Sequence, residues 1–243
     1  MTASQIQHAL ATYADTEKAA FFPYFFKTGP GQYAEGDKFI GVTVPNQRIV
    51  AKEFADTPLA ELTTLLASKI HEHRLTALLI LTTQYEKAKK DPPTQQKIYS
   101  FYLKNLPAVN NWDLVDQSAP KILGAHILKN PQLEKVLDTL ANSKNLWQER
   151  IAIVATYAFI KAKKFDATFA ISEKFLTHKH DLIHKATGWM LRELGKIDQP
   201  AEENFLKKHY QIMPRTMLRY AIERFTPEKR NFYLGRKNIN PQS

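Results

Sequence analysis

The 243 residues of this chain include no cysteine. This absence excludes disulfides, thiolate nucleophiles and cysteine-ligated zinc or iron–sulfur sites. Long apolar runs are also missing, because no stretch approaches the roughly 20 residues that a membrane-spanning helix needs. No basic segment followed by an apolar run opens the chain. We therefore expect a cytoplasmic protein with no membrane contact.

Glycine is scarce, with eight in the chain, and three of the first four lie in residues 29–37. This segment predicts a long loop, but it has neither the Gly-Lys-Ser/Thr ending nor the preceding strand of a phosphate-binding loop. Strand-like alternation is limited to residues 39–42, which we also expect to be loop. Elsewhere apolar residues recur every three or four positions, with Pro, Asn, Asp or Ser at the breaks. The pattern predicts an all-α fold.

Similar helical segments recur at residues 73–79, 112–117, 147–153, 185–191 and 217–222, separated by roughly 32 to 39 residues. A shorter helix fits between successive members. This period is typical of HEAT-like repeats, in which helix pairs bury their apolar faces by stacking on their neighbours. We therefore predict one continuous domain over residues 1–243, an α-α superhelix with a concave face.

The full chain has a formal net charge of +10, and the positive charge is concentrated in its second part. Residues 1–143 carry 15 Lys+Arg and 14 Asp+Glu, whereas residues 144–243 carry 19 and 10. Such asymmetry favours a polyanionic partner, most often nucleic acid. We expect the concave face to be basic.

Trp112 and Asp116 form the most informative pair, because residues four apart share one face of a helix. An indole beside a carboxylate suits a site that stabilises a positively charged sugar. The alternative is a purely structural role, with Trp112 packed in the core and Asp116 as a solvated cap. Asp113 lies about 100° around the helix, so we interpret it as a first-turn carboxylate that interacts with the helix dipole.

The chain resembles the AlkD-type DNA alkylation repair glycosylases, which are built from HEAT-like repeats. The resemblance spans roughly residues 15 to 230 and is carried by four motifs in order. These are Phe26-Lys-Thr-Gly-Pro-Gly-Gln-Tyr33 through Gly41-Val-Thr-Val-Pro45, Asn111-Trp-Asp-Leu-Val-Asp116, Trp147-Gln-Glu-Arg-Ile-Ala-Ile153 and Lys185-Ala-Thr-Gly-Trp-Met-Leu-Arg-Glu193.

The resemblance implies a monomeric, cofactor-free and metal-free glycosylase that releases cationic alkylpurines such as 3-methyladenine and 7-methylguanine from double-stranded DNA. Asp116 would be the catalytic carboxylate, Trp112 and Trp189 would wall the nucleotide site, and Arg150 would position a phosphate or the carboxylate. For Arg150 the alternative is a structural salt bridge to Glu149 or a neighbouring unit. The enzyme would act at the nucleoid in the bacterial cytoplasm, and the base need not enter a pocket.

Further DNA contacts are expected from basic and aromatic side chains near these motifs. Arg192 follows Trp189 on the same helix face and suits a phosphate contact. Weaker phosphate candidates are Lys185, Lys27 and Arg48. At the N-terminus the family often places a tyrosine where this chain has Phe25, so Phe25 or Tyr33 would line the nucleotide site.

Two other features receive structural interpretations. Trp147 opens a helix as Trp112 does, but Ile151 stands where an acid would be needed, so we expect core packing. His180 and His184 share a helix face without the glutamate of a zinc protease motif. We interpret them as a solvated helix end.

A rival hypothesis is a non-catalytic helical-repeat protein that binds nucleic acid or protein. It explains the repeats and the charge equally well. The group Trp112, Asp116, Arg150 and Trp189 distinguishes the two hypotheses, because a pure binder of polyanions gains nothing from a carboxylate that faces phosphates.

Overall fold

The computed structural model describes residues 1–235, and residues 236–243 of the predicted domain lie outside this part. The all-α prediction is confirmed, since the described residues form helices and no strand. An isolated β-bridge joins Lys38 to Ile70. No helix in the described part has the length and apolarity required to cross a bilayer.

The chain divides into two compact units, Met1–His126 and a second that starts at Ile127. The first contains α1 (Ala3–Ala11), α2 (Thr16–Phe26), α3 (Val44–Glu53), α4 (Leu59–Leu66), α5 (His71–Lys87), α6 (Pro92–Lys104) and α7 (Trp112–Ser118). Helix α8 (Ala125–Lys129) spans the division. The second contains α9 (Lys135–Ala141), α10 (Leu146–Ala155), α11 (Tyr157–Lys161), α12 (Asp166–Lys174), α13 (Asp181–Gly195), α14 (Gln199–His209), α15 (Arg215–Ala221) and α16 (Pro227–Tyr233). The single continuous domain and its concave basic face stay predictions.

Helix α5 is the centre of the first unit. It packs against α1, α3, α4, α6 and α7. Every side chain from His71 to Thr82 is buried, so this helix is enclosed on all sides and not along one stripe. The apolar spacing of three and four residues predicted one buried face, and the structure extends burial to the polar residues His71 to Arg74 that precede Leu75.

Helix α13 has the same role in the second unit, where it packs against α10, α11, α12, α14 and α15. Gly188 permits its close approach to α15, because a Cβ at this position would lie 2.3 Å from the carbonyl oxygen of Met217. The two backbones therefore meet at Gly188, which sits one residue before Trp189.

Several prolines fall at helix starts, as the sequence predicts, whereas Pro23 lies inside α2. Pro45, Pro92, Pro200 and Pro227 occupy one of the first two helical positions, where the missing N–H costs no hydrogen bond. Pro120 begins a π-helical turn between α7 and α8, a feature that the sequence pattern did not indicate.

Glu202 of α14 is a buried carboxyl whose Oε1 has no hydrogen-bond partner among the described residues. Its Oε2 fits against Gly195, where a Cβ would lie only 1.7 Å away. Burial, and then the negative charge of Glu203, raises the pKa of Glu202 from 4.5 to about 9. The folded state therefore holds this group neutral at pH 7.

Glu202→Gln is expected to stabilise the protein at pH 8 and to change little at pH 5. Between the pKa of 4.5 and about 9 the unfolded chain loses a proton that the folded chain keeps, so wild-type stability falls as pH rises. Between pH 5 and pH 8 the gain should grow by on the order of 4 kcal/mol, at about 1.36 kcal/mol per pH unit. Chemical unfolding at both pH values measures it, with the surface variant Glu134→Gln as control. A gain that is the same at both pH values would contradict this assignment.

Candidate functional site

Helix α7 starts at Trp112 because Asn111 caps it. The Oδ1 atom of Asn111 accepts a hydrogen bond from the backbone N–H of Trp112 at 2.8 Å. Capping side chains of this kind satisfy backbone donors that lack helical partners. Trp112 and Asp116 are both half-buried, one helical turn apart. The sequence prediction that these two residues share a helix is confirmed.

The indole of Trp112 packs on an aromatic cluster formed by the end of α2 and the following loop. Phe26 stacks on it with ring centroids 5.4 Å apart, and Phe25 meets it edge-on at 5.9 Å. Phe26 in turn stacks on Phe39 at 5.0 Å. Offset stacks and edge contacts at these separations are favourable aromatic geometries. One face of Trp112 is thereby fixed, while the residue keeps part of its surface in solvent.

Beneath this cluster, His71 links two carboxylates. Its Nε2 lies 2.8 Å from Oδ2 of Asp113, and its Nδ1 lies 3.0 Å from Oδ2 of Asp37. An imidazole donates from both nitrogens only when it is doubly protonated. The geometry therefore fits a cationic His71 held between two anions.

Asp37 accepts hydrogen bonds from three side chains, two on α5 and one just before α7. Besides His71, Arg74 donates to its Oδ1 at 2.6 Å, and the Nδ2 of Asn111 donates to its Oδ2 at 3.3 Å. We call His71, Asp37, Asp113 and Arg74 the buried ion cluster; all four are buried or nearly so. It joins the 29–37 loop, α5 and the first turn of α7.

The pKa shifts agree with this geometry. Burial opposes the charge on His71, but the charge and hydrogen bond of Asp113, with the hydrogen bond to Asp37, raise its pKa from 6.5 to about 9. For Asp37, burial likewise opposes ionisation. The hydrogen bond from His71 and the charge of Arg74 nevertheless hold its pKa below its usual value.

Glu72 fixes the next part of the chain. Its carboxylate accepts hydrogen bonds from the backbone N–H groups of Ile40, Gly41 and Val42, the nearest at 2.8 Å. Gly41 is required there, because it has φ +82° and a Cβ would lie 2.0 Å from the carbonyl oxygen of Asp15. Phe39 is thus held against His71, with centroids 4.9 Å apart. Residues 39–42 are loop, as predicted.

The other predicted residues of the first unit lie around this arrangement. Phe25 is half-exposed beside Trp112, and Tyr33 lies half-buried in the 29–37 loop. Lys27, exposed at the end of α2, places its ammonium 4.5 Å from the ring centre of Tyr24. Arg48 of α3 donates to Oε1 of Gln117 at 3.0 Å, which places its guanidinium beside the residue that follows Asp116.

In the second unit, the predicted residues lie on α10 and α13. Arg150 is buried and donates to the carbonyl oxygen of Leu182 at 2.7 Å. The Oε2 atom of its neighbour Glu149 lies within hydrogen-bond distance of Nε2 of His178, at 3.1 Å. Trp189 is half-buried, stacks on Tyr157 with centroids 6.3 Å apart and donates from its indole nitrogen to Glu193.

The two basic candidates on α13 form ion pairs. Arg192 binds the carboxylates of Glu193 and Glu223, and Lys185 binds Asp181 at 2.7 Å. Phosphate contacts from these side chains stay predictions, and each would require exchange of a carboxylate for a phosphate. Trp112 and Asp116 belong to one unit, whereas Arg150 and Trp189 belong to the other. Their convergence also stays a prediction.

Trp147 and the pair His180 and His184 lie at the starts of α10 and α13. Trp147, expected in the core, is half-buried and lies at the start of α10. The histidines near residue 180 support the start of α13: Nδ1 of His180 accepts from the N–H of Leu182, and Nε2 of His184 lies 2.6 Å from the carbonyl oxygen of His178. Among the described residues, no group of three potential ligands is positioned to hold a metal ion.

The sequence pattern did not indicate the buried ion cluster. Asp113 does accept the N–H of Leu114 in the first turn, but its second oxygen binds His71, 42 positions away along the chain. The signal was present as four polar residues, His71, Glu72, His73 and Arg74, at the head of a leucine-rich helix. All four are buried.

Comparison with known proteins places these observations in a family. The sequence model of the family described as DNA alkylation repair enzyme matches residues 6–225. The chain belongs to this family. Its members' role in alkylation repair, with DNA as the partner, therefore extends to this protein.

The solved structures give the same fold. A structure described as a predicted DNA alkylation repair enzyme from Enterococcus faecalis is similar with a TM-score of 0.67, at 16% identity, over 88% of this chain and 97% of that chain. At this identity the likeness concerns the fold alone. The comparison with curated protein sequences gave no match.

His71→Gln is expected to destabilise this family member more at pH 6 than at pH 9. The pKa of His71 is raised from 6.5 to about 9, so its contribution is complete below pH 6.5 and is lost as pH rises through 9. Breaking a buried ion pair costs about 3–5 kcal/mol. Chemical unfolding at the two pH values measures the difference.

The matched control is His8→Gln, which changes an exposed histidine of the same unit. Should His71→Gln fail to fold at pH 6, Asp113→Asn tests the same ion pair while keeping a hydrogen-bond acceptor. A penalty that does not vary with pH in either variant would show that His71 is neutral in the folded protein.

Proposed function

We propose that the protein is a monofunctional DNA glycosylase that hydrolyses the N-glycosidic bond of positively charged alkylated purines, such as 3-methyladenine and 7-methylguanine. The observation that carries the proposal is the pairing of Trp112 and Asp116 on α7, in a member of a DNA alkylation repair family. Neither residue belongs to the buried ion cluster that fixes the helix. Both keep surface in solvent, where DNA can reach them.

The chemistry of the reaction requires stabilisation of a sugar cation. Alkylation at N3 or N7 makes the purine cationic and therefore a good leaving group. The remaining cost is the positive charge that develops on the deoxyribose as the bond breaks. A carboxylate about 4 Å away offers on the order of 4 kcal/mol at an effective dielectric near 20, roughly a thousandfold in rate. Asp116 supplies that carboxylate in the proposal.

The indoles act on the same charge. The face of an aromatic ring carries a negative quadrupole that attracts cations, and the attraction grows when water is excluded. Phe25 and Phe26 already shield one side of Trp112 from water. We assign Trp112 and Trp189 to the walls of the nucleotide site and Arg150 to the positioning of a phosphate or of Asp116. Asp116 also suits orientation of the attacking water as a general base.

Selectivity follows from the leaving group in this mechanism. The cationic base departs readily on its own, so the protein need not recognise it in a pocket. Bulky alkyl adducts should then be accepted, and neutral bases such as hypoxanthine and uracil should be poor substrates. No cofactor or metal has a role in the proposed steps.

Asp116→Asn should lower the single-turnover release of 7-methylguanine from duplex DNA by about a thousandfold, because the amide removes the negative charge and keeps the shape. Affinity for the same duplex should not fall, and the thermal unfolding temperature should change little. Free base released from methylated duplex is the measurement. Asp56→Asn, which changes an exposed carboxylate of the same unit, is the matched control.

The rival hypothesis makes the opposite prediction. A non-catalytic helical-repeat binder would bind duplex DNA and release no base, in the wild type or in either variant. Efficient wild-type release of hypoxanthine would also contradict the mechanism, because a neutral base is a poor leaving group and the proposed site does not activate it.

A further inference from the structure

The last two turns of α2 carry an exposed aromatic surface of which the proposed chemistry uses only Phe25. Phe21, Tyr24 and Phe25 are 55%, 73% and 49% exposed, and they lie at positions i, i+3 and i+4 of one helix face. Phe21 stacks on Phe25 with centroids 6.2 Å apart and lies 6.4 Å from Tyr24. We call these three residues the aromatic ridge.

Such a surface has a cost in a protein that acts alone. Single exposed apolar residues are ordinary, but contiguous exposed patches mark interaction sites. Phe22 and Phe26 already anchor α2, through their contacts with each other and with Phe39. The ridge is thus not needed to hold the helix in place.

Two observations indicate a nucleic acid as the occupant. The ridge is continuous with the candidate site, because Phe25 contacts Trp112 at 5.9 Å. Lys27 sits at the same end of the helix, with its ammonium 4.5 Å from the ring centre of Tyr24. Aromatic faces beside a cation are the elements that bind unpaired bases, since every base has a π face and a phosphate next to it.

We propose that Phe21 and Tyr24 form a stacking platform for an unpaired nucleobase of DNA bound at the candidate site. This inference rests on the proposed function for its partner. The platform would receive a base that lost its pairing or stacking near the nucleotide held at Trp112. Lys27 would contact the phosphate of that base.

The experiment compares duplexes that differ only in one unpaired base. One duplex contains 2-aminopurine opposite a tetrahydrofuran abasic site, and the other contains 2-aminopurine opposite thymine. Affinity is measured by anisotropy, and stacking is measured by the quenching of 2-aminopurine fluorescence. Variants are Phe21→Ser combined with Tyr24→Ser, and Tyr24→Phe, which keeps the ring.

The matched control is Phe232→Ser, which removes an exposed ring (66%) from α16 in the other unit. The wild type, Tyr24→Phe and Phe232→Ser should bind the unpaired-base duplex tightly and quench its fluorescence. The double variant should lose about tenfold or more in affinity for this duplex, lose the quenching, and bind the paired duplex within about threefold of wild type. Because the changed residues are exposed, thermal unfolding should be unaltered.

Several outcomes would overturn the proposal. They are the absence of a wild-type preference for the unpaired base, an equal loss on both duplexes, and a double variant that quenches as well as wild type. Self-association of the wild type that the double variant abolishes would make the ridge a protein interface instead. Base release is not part of these readouts. If the protein binds the unpaired base but releases no 7-methylguanine, the stacking platform is supported and the glycosylase proposal is wrong. If it releases 7-methylguanine but shows no preference for the unpaired base, the glycosylase proposal is supported and the platform is wrong.

Discussion

The cationic imidazole of His71, enclosed by the carboxylates of Asp37 and Asp113, is the interaction on which the candidate site depends. It connects three segments that are distant in sequence, namely the 29–37 loop, the head of α5 and the first turn of α7. Removing two charges from water is expensive and is repaid only when geometry and additional hydrogen bonds are good. Arg74 and Asn111 supply those hydrogen bonds to Asp37. The cluster therefore tolerates one arrangement of these segments, which fixes the direction of Trp112 and of the turn that carries Asp116.

The site also combines opposing electrostatic demands. The chain is basic, with a net charge of +10, and a DNA-binding surface gains affinity from each Lys or Arg that contacts a phosphate. A half-buried carboxylate on such a surface lowers that affinity. In the proposed function this loss of affinity is offset in the transition state, because Asp116 then interacts with the positive charge that develops on the sugar. The aromatic ridge would act earlier, on binding, by replacing the stacking that an unpaired base has lost. Binding and bond cleavage are thereby assigned to separate side chains on α2 and α7.

Local sequence signals predicted the helices well. Proline, which fixes φ and lacks an N–H, lies in the first two positions of several helices, as Pro92 does in α6 and Pro227 in α16, although Pro23 lies inside α2. Asn also occurs at the breaks between helices, and Asn111 caps the start of α7. Burial was harder, because apolar periodicity describes a helix with one covered side, and α5 is covered on all sides. The polar residues at its head were consequently not recognised as buried.

Long-range polar contacts could not be predicted from the sequence pattern for a different reason. His71 and Asp113 are 42 positions apart, and nothing in the spacing of either residue selects the other as a partner. Only packing of α5 against α7 brings them together. The exposure of Phe21 and Tyr24 could not be predicted either. A run of aromatic residues predicts a core helix unless the elements packed against it are known.

If Asp116 stabilises positive charge on a deoxyribose, the protein should bind most tightly to duplexes with a sugar that carries such a charge. A duplex containing a cationic pyrrolidine in place of one deoxyribose is compared with a duplex containing neutral tetrahydrofuran at the same position. We expect the wild type to bind the cationic duplex at least about tenfold more tightly and Asp116→Asn to lose this preference. Equal affinities, or a preference that persists in Asp116→Asn, would show that Asp116 does not act on the charge of the sugar.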